Sequence, residues 1–452
     1  MSTALKQNSD FQATSLEWLG RFPSRWSVEP GLAVLQERQV KNIGLVEPTV
    51  LSLSYGRVVI KPQDKLRGLV PESFETYQIV EPGNIIIRPT DLQNDHVSLR
   101  VGQAKDRGII TSAYMCLETK GKLTEDYAHL LLHAYDIKKV FYGLGSGLRQ
   151  NLSWVDFRRL PIPVPPPDEQ AQIVRFICPL DQRVNRLIKT KRRLIELLNE
   201  QKQAIIHRAV TRGLDPTVPL KPSGIFWLPE IPAHWKPVRV KSVLLNLNNR
   251  RIPLSSTERG HMTTREFDYY GASSVIDKVD DFIFDDELLL IAEDGANLVL
   301  RNLPLAIIAR GKFWVNNHAH ILKPIRGSLE YWAMLLECVN YRPWISGAAQ
   351  PKLTKDRLMA VPIPCPTDEE QNAIVEYVMN ETAGIRLAID KTKSEIDLIR
   401  EYRTRLVADV VTGQLDVRHL DLPEVEESLI EAIDAGSDPE LDEDTEEAVD
   451  AD

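Results

Sequence analysis

Apolar side chains recur in alternating steps of four and three along two stretches of the chain. Sustained spacing of this kind predicts a long helix with one apolar seam, and each seam needs a partner surface. We therefore expect two long helices that pack against each other as an antiparallel coiled coil. Packing of each helix on its own neighbouring globular part is the alternative. The seam positions are Val184, Ile188, Lys191, Ile195, Leu198, Lys202, Ile205 and Ala209 in the first stretch, and Ile385, Ile389, Thr392, Ile396, Ile399, Arg403, Leu406 and Val410 in the second.

Proline-rich segments precede both predicted helices, at Pro161–Pro167 and Pro362–Pro366. Because proline fixes φ and removes a backbone donor, each segment ends one element before the next begins. Gly213 and Gly413 stand just past the two apolar patterns, where glycine commonly terminates a helix. Both ends of each helix are therefore marked in the sequence.

The two stretches belong to a tandem repeat that covers most of the chain. A Trp-Leu-x-x-x-Pro-x-x-Trp element occurs at 18–26 and again at 227–235, and Pro-Ile-Pro occurs at 161–163 and 362–364. Glu-Gln, Ile-Val, Val-Thr and Leu-Asp pairs follow in both copies, all at the offset of the Pro-Ile-Pro element. Two copies joined by antiparallel helices predict a pseudo-twofold arrangement.

The repeat divides the 452 residues into five expected segments, since the chain is too long for one core. Globular parts at 1–165 and 214–365 alternate with the long helices, which we place at 166–213 and 366–416. An acidic segment, 417–452, follows the second helix. The alternation of apolar runs and polar loops indicates a mixed fold of helices and strands (α/β, of the α+β kind) in each globular part.

Both globular parts show the same order of elements. A strand-like run at Asn84–Ile87 leads into the polar loop Arg88–Asn94, and Glu287–Ala292 leads into the polar loop Glu293–Asn297. Further strand-like runs follow at 108–117 and 312–322. The polar side chains differ almost completely between the two copies. Two binding sites of different specificity on one scaffold would have this pattern.

Loops of small and polar residues stand before each proline-rich segment, at 145–151 and 347–352. Glycine lets a backbone approach a surface closely. Arginine can pair bidentately with guanine, glutamine or asparagine with adenine, and lysine with phosphate. Candidate DNA contacts in these loops are Arg149, Gln150, Asn151, Gln350 and Lys352. A plain surface loop is the alternative in each case.

The net charge of −9 is concentrated at one end of the chain. Residues 421–452 contain fifteen Asp or Glu and no Lys or Arg, so the preceding residues have 55 basic and 49 acidic side chains, a formal charge of +6. A like-charge run of this kind is typical of a solvated, disordered tail. The charge of the whole chain therefore does not exclude a nucleic-acid partner.

Several kinds of chemistry find no support in the sequence. No phosphate-binding Gly-x-x-x-x-Gly-Lys-Ser/Thr loop, no Asn/Asp-Pro-Pro-Tyr tetrapeptide and no nuclease-like cluster of carboxylates occurs. His318 and His320 could bind a metal, but no third ligand stands nearby, so a structural or DNA-contacting role is favoured. Four scattered cysteines, no signal peptide and no apolar run of about 20 residues fit a cytoplasmic protein without a membrane partner.

The duplicated order of the Trp-Leu-Pro-Trp element, variable region, Pro-Ile-Pro, Glu-Gln and long helix resembles the specificity subunit of type I restriction-modification enzymes. The likeness extends from about Leu16 to Asp416. Arg88–Asp95 and Gly311–His320 also resemble stretches of that family's target-recognition domains. Further candidate DNA contacts are therefore Arg88, Asp91, Gln93 and Asn94 in the first copy, and Asn316, Asn317, His318 and His320 in the second.

The resemblance implies a subunit that is not itself an enzyme. Each globular part would read one half of an interrupted site in double-stranded DNA. The helices would separate the two parts and dock two methyltransferase subunits, with two motor-nuclease restriction subunits joining for cleavage. S-adenosylmethionine, ATP and magnesium would be bound by those partners. Two other classes stay open: a scaffold whose globular parts bind proteins, and an enzyme that acts on nucleic acid by itself.

Overall fold

The computed structural model describes residues 6–8, 10–13, 20–54, 56–62, 73–93, 95, 98–144, 151–347 and 350–422. Three candidate contacts, Asn94, Arg149 and Gln150, lie outside the described residues, as does the acidic segment from residue 423 onward. The chain forms two compact units: unit 1 comprises Met1–Arg193 with Lys393–Asp452, and unit 2 comprises Leu194–Thr392. This division cuts both long helices, whereas the sequence pattern treated each helix as a separate segment.

Both halves of the chain end with a short helix, a Pro-Ile-Pro strand and a long helix. The α-helices are α1 (Gly31–Val34), α2 (Glu125–Ile137), α3 (Trp154–Phe157), α4 (Pro167–Arg212), α5 (Ser256–Gly260), α6 (Asn297–Leu300), α7 (Leu329–Cys338), α8 (Lys355–Ala360) and α9 (Asp368–Val411). Short 3-10 helices occupy Phe74–Thr76, Val140–Gly143, Val240–Ser242, Asn248–Arg250 and Arg342–Trp344. Among the described residues, no helix has both the length and the apolar character that crossing a membrane requires.

The strands are short in unit 1 and longer in unit 2. Unit 1 begins with β1 (Lys6–Gln7), β2 (Phe11–Ala13), β3 (Arg21–Pro23), β4 (Ser27–Pro30), β5 (Leu35–Glu37), β6 (Leu51–Ser54), β7 (Arg57–Ile60), β8 (Gln78–Val80), β9 (Ile85–Ile87), β10 (Val101–Gln103), β11 (Gly108–Ile110), β12 (Met115–Thr119) and β13 (Pro161–Val164). Unit 2 contains β14 (Leu220–Ile225), β15 (Leu228–Pro232), β16 (Lys236–Arg239), β17 (Leu244–Asn246), β18 (Phe267–Tyr270), β19 (Val275–Val279), β20 (Phe284–Ala292), β21 (Ala306–Val315), β22 (Ala319–Pro324) and β23 (Pro362–Cys365). The last strand, β24 (Leu415–Asp416), returns to unit 1 and pairs with β1.

Unit 1 is built on an antiparallel sheet with the strand order β10-β9-β12-β5. The central strand β9 is fully buried because both faces of the sheet are covered. Ile85 and Ile87 lie in the core that contains α2, and Ile86 points into a second core with residues of β6 and β7. A strand buried on both faces has a continuous apolar run, which explains why β9 shows no alternation.

Unit 2 repeats this design with a larger sheet, in the order β17-β22-β20-β21-β18-β19. Its neighbours are antiparallel except for the parallel pair β18 and β21. The central strand β20 again contributes to two cores: Leu289 and Ile291 face α7, and Leu288 and Leu290 face the other side. The mixed α/β fold expected for both globular parts is therefore confirmed.

Two strand-like runs of the sequence are each divided by a turn, so the single-strand interpretation was wrong. Residues 108–117 contain β11 and the start of β12, which follow each other along the chain with a turn at 111–114 between them. Residues 312–322 include the end of β21, a turn at 316–318 and the start of β22. Both runs looked continuous because buried strands on either side of a short polar turn have the same composition.

The long helices run antiparallel in both units. In unit 1, the Arg403 guanidinium donates to the Asp181 carboxylate at 2.7 Å, and Lys191 Nζ lies 2.6 Å from Glu395 Oε2. Residue numbers along α9 therefore decrease as those along the facing α4 increase. In unit 2, Val210 of α4 shares a core with Ile374 of α9. The antiparallel pair of helices predicted from the sequence is thus confirmed.

The 4-3 pattern marks the protected side of each helix. Every seam position is partly or fully buried. Three leucines at other positions on α4 are exposed: Leu187 by 45%, Leu194 by 44% and Leu197 by 46%. An apolar side chain on these helices is therefore buried according to its register and not according to its type.

The repeated dipeptides make the same contacts in both units. Gln170 accepts a hydrogen bond from the backbone of Thr124 at 2.9 Å, and Gln371 accepts one from the backbone of Ser328 at 3.1 Å. In unit 1 the Tyr127 hydroxyl donates to the Val411 carbonyl at 3.1 Å, and in unit 2 that of Tyr331 donates to the Val210 carbonyl at 3.3 Å. The sequence repeat is thus a repeat of structural contacts.

The two helix-terminating glycines show why their position needs glycine. Gly213 and Gly413 have φ values of +72° and +76°, which favour a residue without Cβ. A Cβ on Gly413 would lie 2.5 Å from Cδ of Pro23 and 2.9 Å from the ring of Trp26. In unit 2, Trp235 is the side chain nearest Gly213. The second tryptophan of each repeated element, Trp26 or Trp235, therefore packs against the end of a long helix.

Candidate functional site

In unit 1, the polar loop after β9 is joined to the segment before α3. The backbone N–H of Asp91 donates to Asn151 Oδ1 at 3.0 Å, and the N–H of Leu152 donates to the Pro89 carbonyl at 2.8 Å. Asp91 has a φ of +59°, so the loop turns sharply there. Two of the segments proposed from sequence thus meet, with Gln93 exposed between them.

A buried arginine holds this loop from below. Arg100 is 0% exposed and donates to the carbonyls of Thr90, Asp91 (3.1 Å) and Asp95 (2.7 Å). Its Nε donates to the Tyr142 hydroxyl at 3.1 Å. A guanidinium carries five N–H donors in a fixed geometry, so one side chain can fix several carbonyls at once. Arg100 therefore holds the loop together by its hydrogen bonds, although its own side chain is buried.

Asp95 links the buried Arg100 to the more exposed Arg88. Asp95 Oδ2 lies 3.6 Å from both Arg100 Nη2 and Arg88 Nη1, and the Arg88 side chain is 30% exposed. Asp136, which accepts a hydrogen bond from the Arg100 backbone, has its pKa raised by burial. Arg88 is thus the partly exposed member of an ion-pair network that is anchored in the core.

In unit 2, the segment after β20 gathers residues from two other loops. Lys352 Nζ lies 3.3 Å from Glu293 Oε1, and His318 Nδ1 lies 2.8 Å from Asp294 Oδ1. The backbone N–H of Leu353 donates to the Glu293 carbonyl at 2.8 Å. Lys352 and His318 are far apart in the sequence, but they contact the carboxylates of the neighbouring residues Glu293 and Asp294.

His320 lies beneath this surface, since its side chain is 0% exposed. Its Nε2 is 2.6 Å from the Leu353 carbonyl, and its Nδ1 is 2.8 Å from Asn248 Nδ2. A carbonyl accepts and an amide nitrogen donates, so these partners select the neutral ring with the proton on Nε2. Burial lowers the pKa of His320, in agreement with a neutral ring. The surroundings of His320 suit a supporting role.

Arg251 completes the support of the unit 2 loops. Its Nη1 donates to Glu293 Oε2 at 2.7 Å and to the carbonyls of Asn317 (3.1 Å) and Ala319 (2.8 Å). Burial opposes ionisation of Glu293, but hydrogen bonding and charge from Arg251 and a hydrogen bond from Lys352 leave its pKa below the ordinary value. Glu293 is therefore held as a carboxylate between the cations of Arg251 and Lys352.

The remaining candidates of unit 2 differ in exposure. Asn316 is 6% exposed and its Oδ1 accepts from the His318 backbone at 2.8 Å, so it shapes the turn. Asn317 and Gln350 are exposed. Of the six unit 2 candidates, Asn317, His318, Gln350 and Lys352 are thus exposed, whereas Asn316 and His320 lie behind them.

Sequence reasoning missed Arg100, Arg251 and Asn248, which hold the loops from inside. Arg100 directly precedes the buried strand β10, and this position beside an apolar strand was the only local signal. The described residues contain no group of three or more His, Cys, Asp or Glu side chains that could hold a metal ion. The arrangement therefore offers hydrogen-bond donors and acceptors on fixed loops.

The fold and these surfaces define a tandem recognition protein: two units share one scaffold and present different polar side chains from corresponding loops. The family model described as the type I restriction modification DNA specificity domain matches residues 100–197 and 232–397. That match covers more than half of the chain, which therefore belongs to this family. The family resemblance inferred from the sequence is confirmed.

Individual relatives are similar over different lengths. The MjaVIII specificity subunit of Methanocaldococcus jannaschii, a type I restriction enzyme subunit, is 24% identical over 70% of this chain and 76% of its own length. A Haemophilus influenzae protein named as a type I restriction enzyme specificity subunit is 34% identical over 33% of this chain and 37% of its own length.

A solved structure shares the fold. It is described as the structural basis underlying complex assembly and conformational transition of the type I R-M system. The similarity has a TM-score of 0.58 at 15% sequence identity and covers 87% of this chain and 99% of the other. At this identity the likeness concerns the fold alone.

Proposed function

We propose that this chain supplies DNA sequence recognition to a type I restriction-modification complex, with each unit reading one half of an interrupted site in double-stranded DNA. The observation that carries the proposal is the shared scaffold with different loops. The loop after β9 and the loop after β20 are each hydrogen-bonded to a leucine that stands two positions before a short helix, Leu152 before α3 and Leu353 before α8. The side chains on these loops are different, so the two units would read different bases.

Recognition would use two kinds of contact. Lysine and arginine position a protein on phosphates, and a few polar side chains on loops read the base edges. In unit 2 the exposed Asn317, His318, Gln350 and Lys352 are the candidates, and in unit 1 they are Arg88, Asp91, Gln93 and Asn151. Asn94, Arg149 and Gln150 stay candidates from the sequence. The buried Arg100 and His320 would hold these loops ready without touching DNA.

The long helices would separate the two readers and dock the partners. An α-helix rises about 1.5 Å per residue, so the 46 residues of α4 provide a stiff spacer. The exposed Leu187, Leu194 and Leu197 lie on α4 outside its buried seam, and Leu387 on α9 is 71% exposed. An exposed apolar stripe of this kind supports docking of two methyltransferase subunits. Two motor-nuclease subunits would join for cleavage, and the chemistry would lie in these partners.

Mapping of methylated adenines in a host that carries this chain with its partners tests the function directly. A bipartite methylated motif is expected. Replacing the loop residues His318 and Lys352 should alter one half of the motif and leave the other half unchanged. If both halves change together, or if no bipartite motif is found, the assignment of one reader to each unit is wrong.

A matched pair of lysines tests the contact in unit 2. Lys352→Ala should weaken DNA binding by the assembled complex and reduce the slope of affinity against salt by about one. Lys323→Ala is the control, because Lys323 is similarly exposed (46% against 49%) and is also ion-paired, with Asp286. Lys323 stands near the other end of β22 from the candidate surface. Equal effects of the two substitutions would remove Lys352 from the interface.

Insertion of four residues near Glu200 tests the spacer. The insertion adds about one helical turn to α4. We expect the gap between the two half-sites to change while each half-site keeps its sequence. An unchanged gap with intact binding would mean that the helices do not set the spacing.

A further inference from the structure

Unit 2 carries three exposed apolar side chains in the segment that follows Glu293 and Asp294 of its candidate surface. Val299 is 38% exposed, Leu300 63% and Leu303 54%. These three residues, which we name the apolar tip, fall at the end of α6 and in the turn that follows it. Single exposed leucines are common on proteins, but a contiguous group more often marks a binding surface.

The apolar tip is held rigidly by polar groups below it. Asn297 accepts from the Leu303 N–H at 2.8 Å and donates to the Leu303 carbonyl at 3.0 Å, so one side chain binds both backbone groups of the residue that closes the loop. The Glu337 carboxylate accepts from the N–H groups of Leu305 and Ala306, each at 2.8 Å. A surface fixed in this way loses little conformational entropy when it binds.

The same clamp occurs in unit 1 at a position that the repeat does not relate to Asn297. Asn42 donates to the Glu47 carbonyl at 2.9 Å and accepts from the Glu47 N–H at 3.0 Å. The enclosed residues Ile43 (73%), Leu45 (55%) and Val46 (67%) are exposed. Because the two clamps are not copies of each other, rigid display of apolar side chains arises independently in each unit.

Position favours DNA as the occupant of the tip in unit 2. The chain from Gly295 to Gly311 contains no Asp or Glu, and its Arg301 and Arg310 are ion-paired with Glu337 and with Glu287 and Glu330, so the charges around the tip are balanced. The Gly295 N–H donates to the Pro351 carbonyl at 3.0 Å, which fixes the start of this segment to the residue next to Lys352. The inference concerns unit 2 alone, because this contact with the candidate surface belongs to that unit.

We propose that Leu300 and Leu303 contact the base pairs of the half-site read by unit 2, packing against the C5-methyl groups of thymines in the major groove. Thymine is the base that presents a methyl group there, and apolar side chains recognise it. The inference rests on the proposed function and adds apolar base contacts to the polar ones. It makes the tip a determinant of specificity.

The test is a double-mutant cycle between protein and DNA with the assembled complex. Each thymine of the methylated motif is replaced in turn by uracil, which removes only the methyl group, and affinity is measured at fixed salt. Loss of one buried methyl should weaken wild-type binding about fourfold at one or two positions of a single half-site. With Leu300→Ser and Leu303→Ser the same replacement should have no effect, and Leu300→Met should retain part of it.

Ile325→Ser is the matched control, since Ile325 is 59% exposed in the same unit but follows the far end of β22. It should leave the uracil effect unchanged. The inference is overturned if uracil has no effect on the wild type, or if the serine variants keep the wild-type uracil effect. It is also overturned if these variants weaken binding of the methyltransferase subunit without DNA, which would make the tip a protein contact. Failure of wild-type complex to bind any motif specifically would instead refute the proposed function.

Discussion

The guanidinium of Arg100 offers the sharpest test of how unit 1 holds its candidate loop. Arg100→Ala removes hydrogen bonds to the carbonyls of Arg88, Thr90, Asp91 and Asp95. At about 1 kcal/mol net for each bond, the closed loop loses about 4 kcal/mol relative to open forms in which water can reach the carbonyls. The cost is local, because the sheet below does not depend on these bonds.

Hydrogen exchange of the backbone amides measures this loss. A decrease of about 4 kcal/mol in the local opening free energy corresponds to about a 1000-fold faster exchange. The amide of Leu152, which donates to the Pro89 carbonyl, should report it, whereas the amide of Leu117 in the paired strand β12 should not change. Arg100→Lys should recover part of the protection, since lysine keeps the charge but has fewer donors in no fixed plane.

Arg107→Ala is the matched control in the same unit. Arg107 also makes two charged contacts, with Glu47 at 3.1 Å and Glu81 at 2.9 Å, but it is 55% exposed. Exposed ion pairs contribute about 0–1 kcal/mol, so protection of the loop should change little. Unchanged exchange in Arg100→Ala, or equal changes in both variants, would refute the assignment of Arg100 as the centre of the loop.

Two further predictions concern stability. Gly413→Ala should destabilise unit 1 by about 3 kcal/mol in urea unfolding, because of the positive φ and the clash with Pro23. Gly384→Ala, in open space on the part of α9 that belongs to unit 2, should stabilise that unit by about 0.5–1 kcal/mol; equal shifts would contradict this. Burial lowers the pKa of His129 to about 3 and of His133 to about 4, from an ordinary 6.5. The unfolded chain therefore takes up protons that the folded unit excludes, and stability should fall as the pH drops from about 6.5 toward 4. A His129→Gln, His133→Gln variant should show a flatter pH dependence of urea unfolding, and an identical slope would refute the shifts.

The long helices could be predicted from sequence because their signal is local and periodic. The register of the 4-3 pattern separates the buried Ile389 and Ile396 from the exposed Leu187, Leu387 and Leu398, although all five are aliphatic. Periodicity carries this information because a helix presents one side to its partner. The packing of the two helices on each other was predicted from their matching registers, and the antiparallel orientation from the pseudo-twofold relation that it gives to the repeats.

The candidate surface was only partly predictable, because residue type does not determine depth. His318 and His320 stand two positions apart in the same short stretch, yet one is 46% exposed at its side chain and the other is 0% exposed. The turn at 316–318 separates them, and no periodic pattern marks a three-residue turn between two buried strands. Arg100 was missed because an arginine in a sequence is normally expected at the surface, since charged residues are almost never fully buried unless they have partners. Those partners are loop carbonyls that the sequence does not mark.

The contacts that the repeat preserves explain how the two units can differ at their surfaces. Gln170 and Gln371, near the start of each long helix, accept from the backbone N–H of the residue that precedes α2 or α7, and Tyr127 and Tyr331 donate to backbone carbonyls near the end of a long helix. None of these contacts involves a side chain of the loops after β9 or β20. The scaffold is therefore stabilised by contacts that are indifferent to loop sequence, while each loop relies on its own internal support, Arg100 in one unit and His320 in the other. A change of loop then needs a matching change only in that support, so one unit can acquire a new specificity while the scaffold of both stays the same.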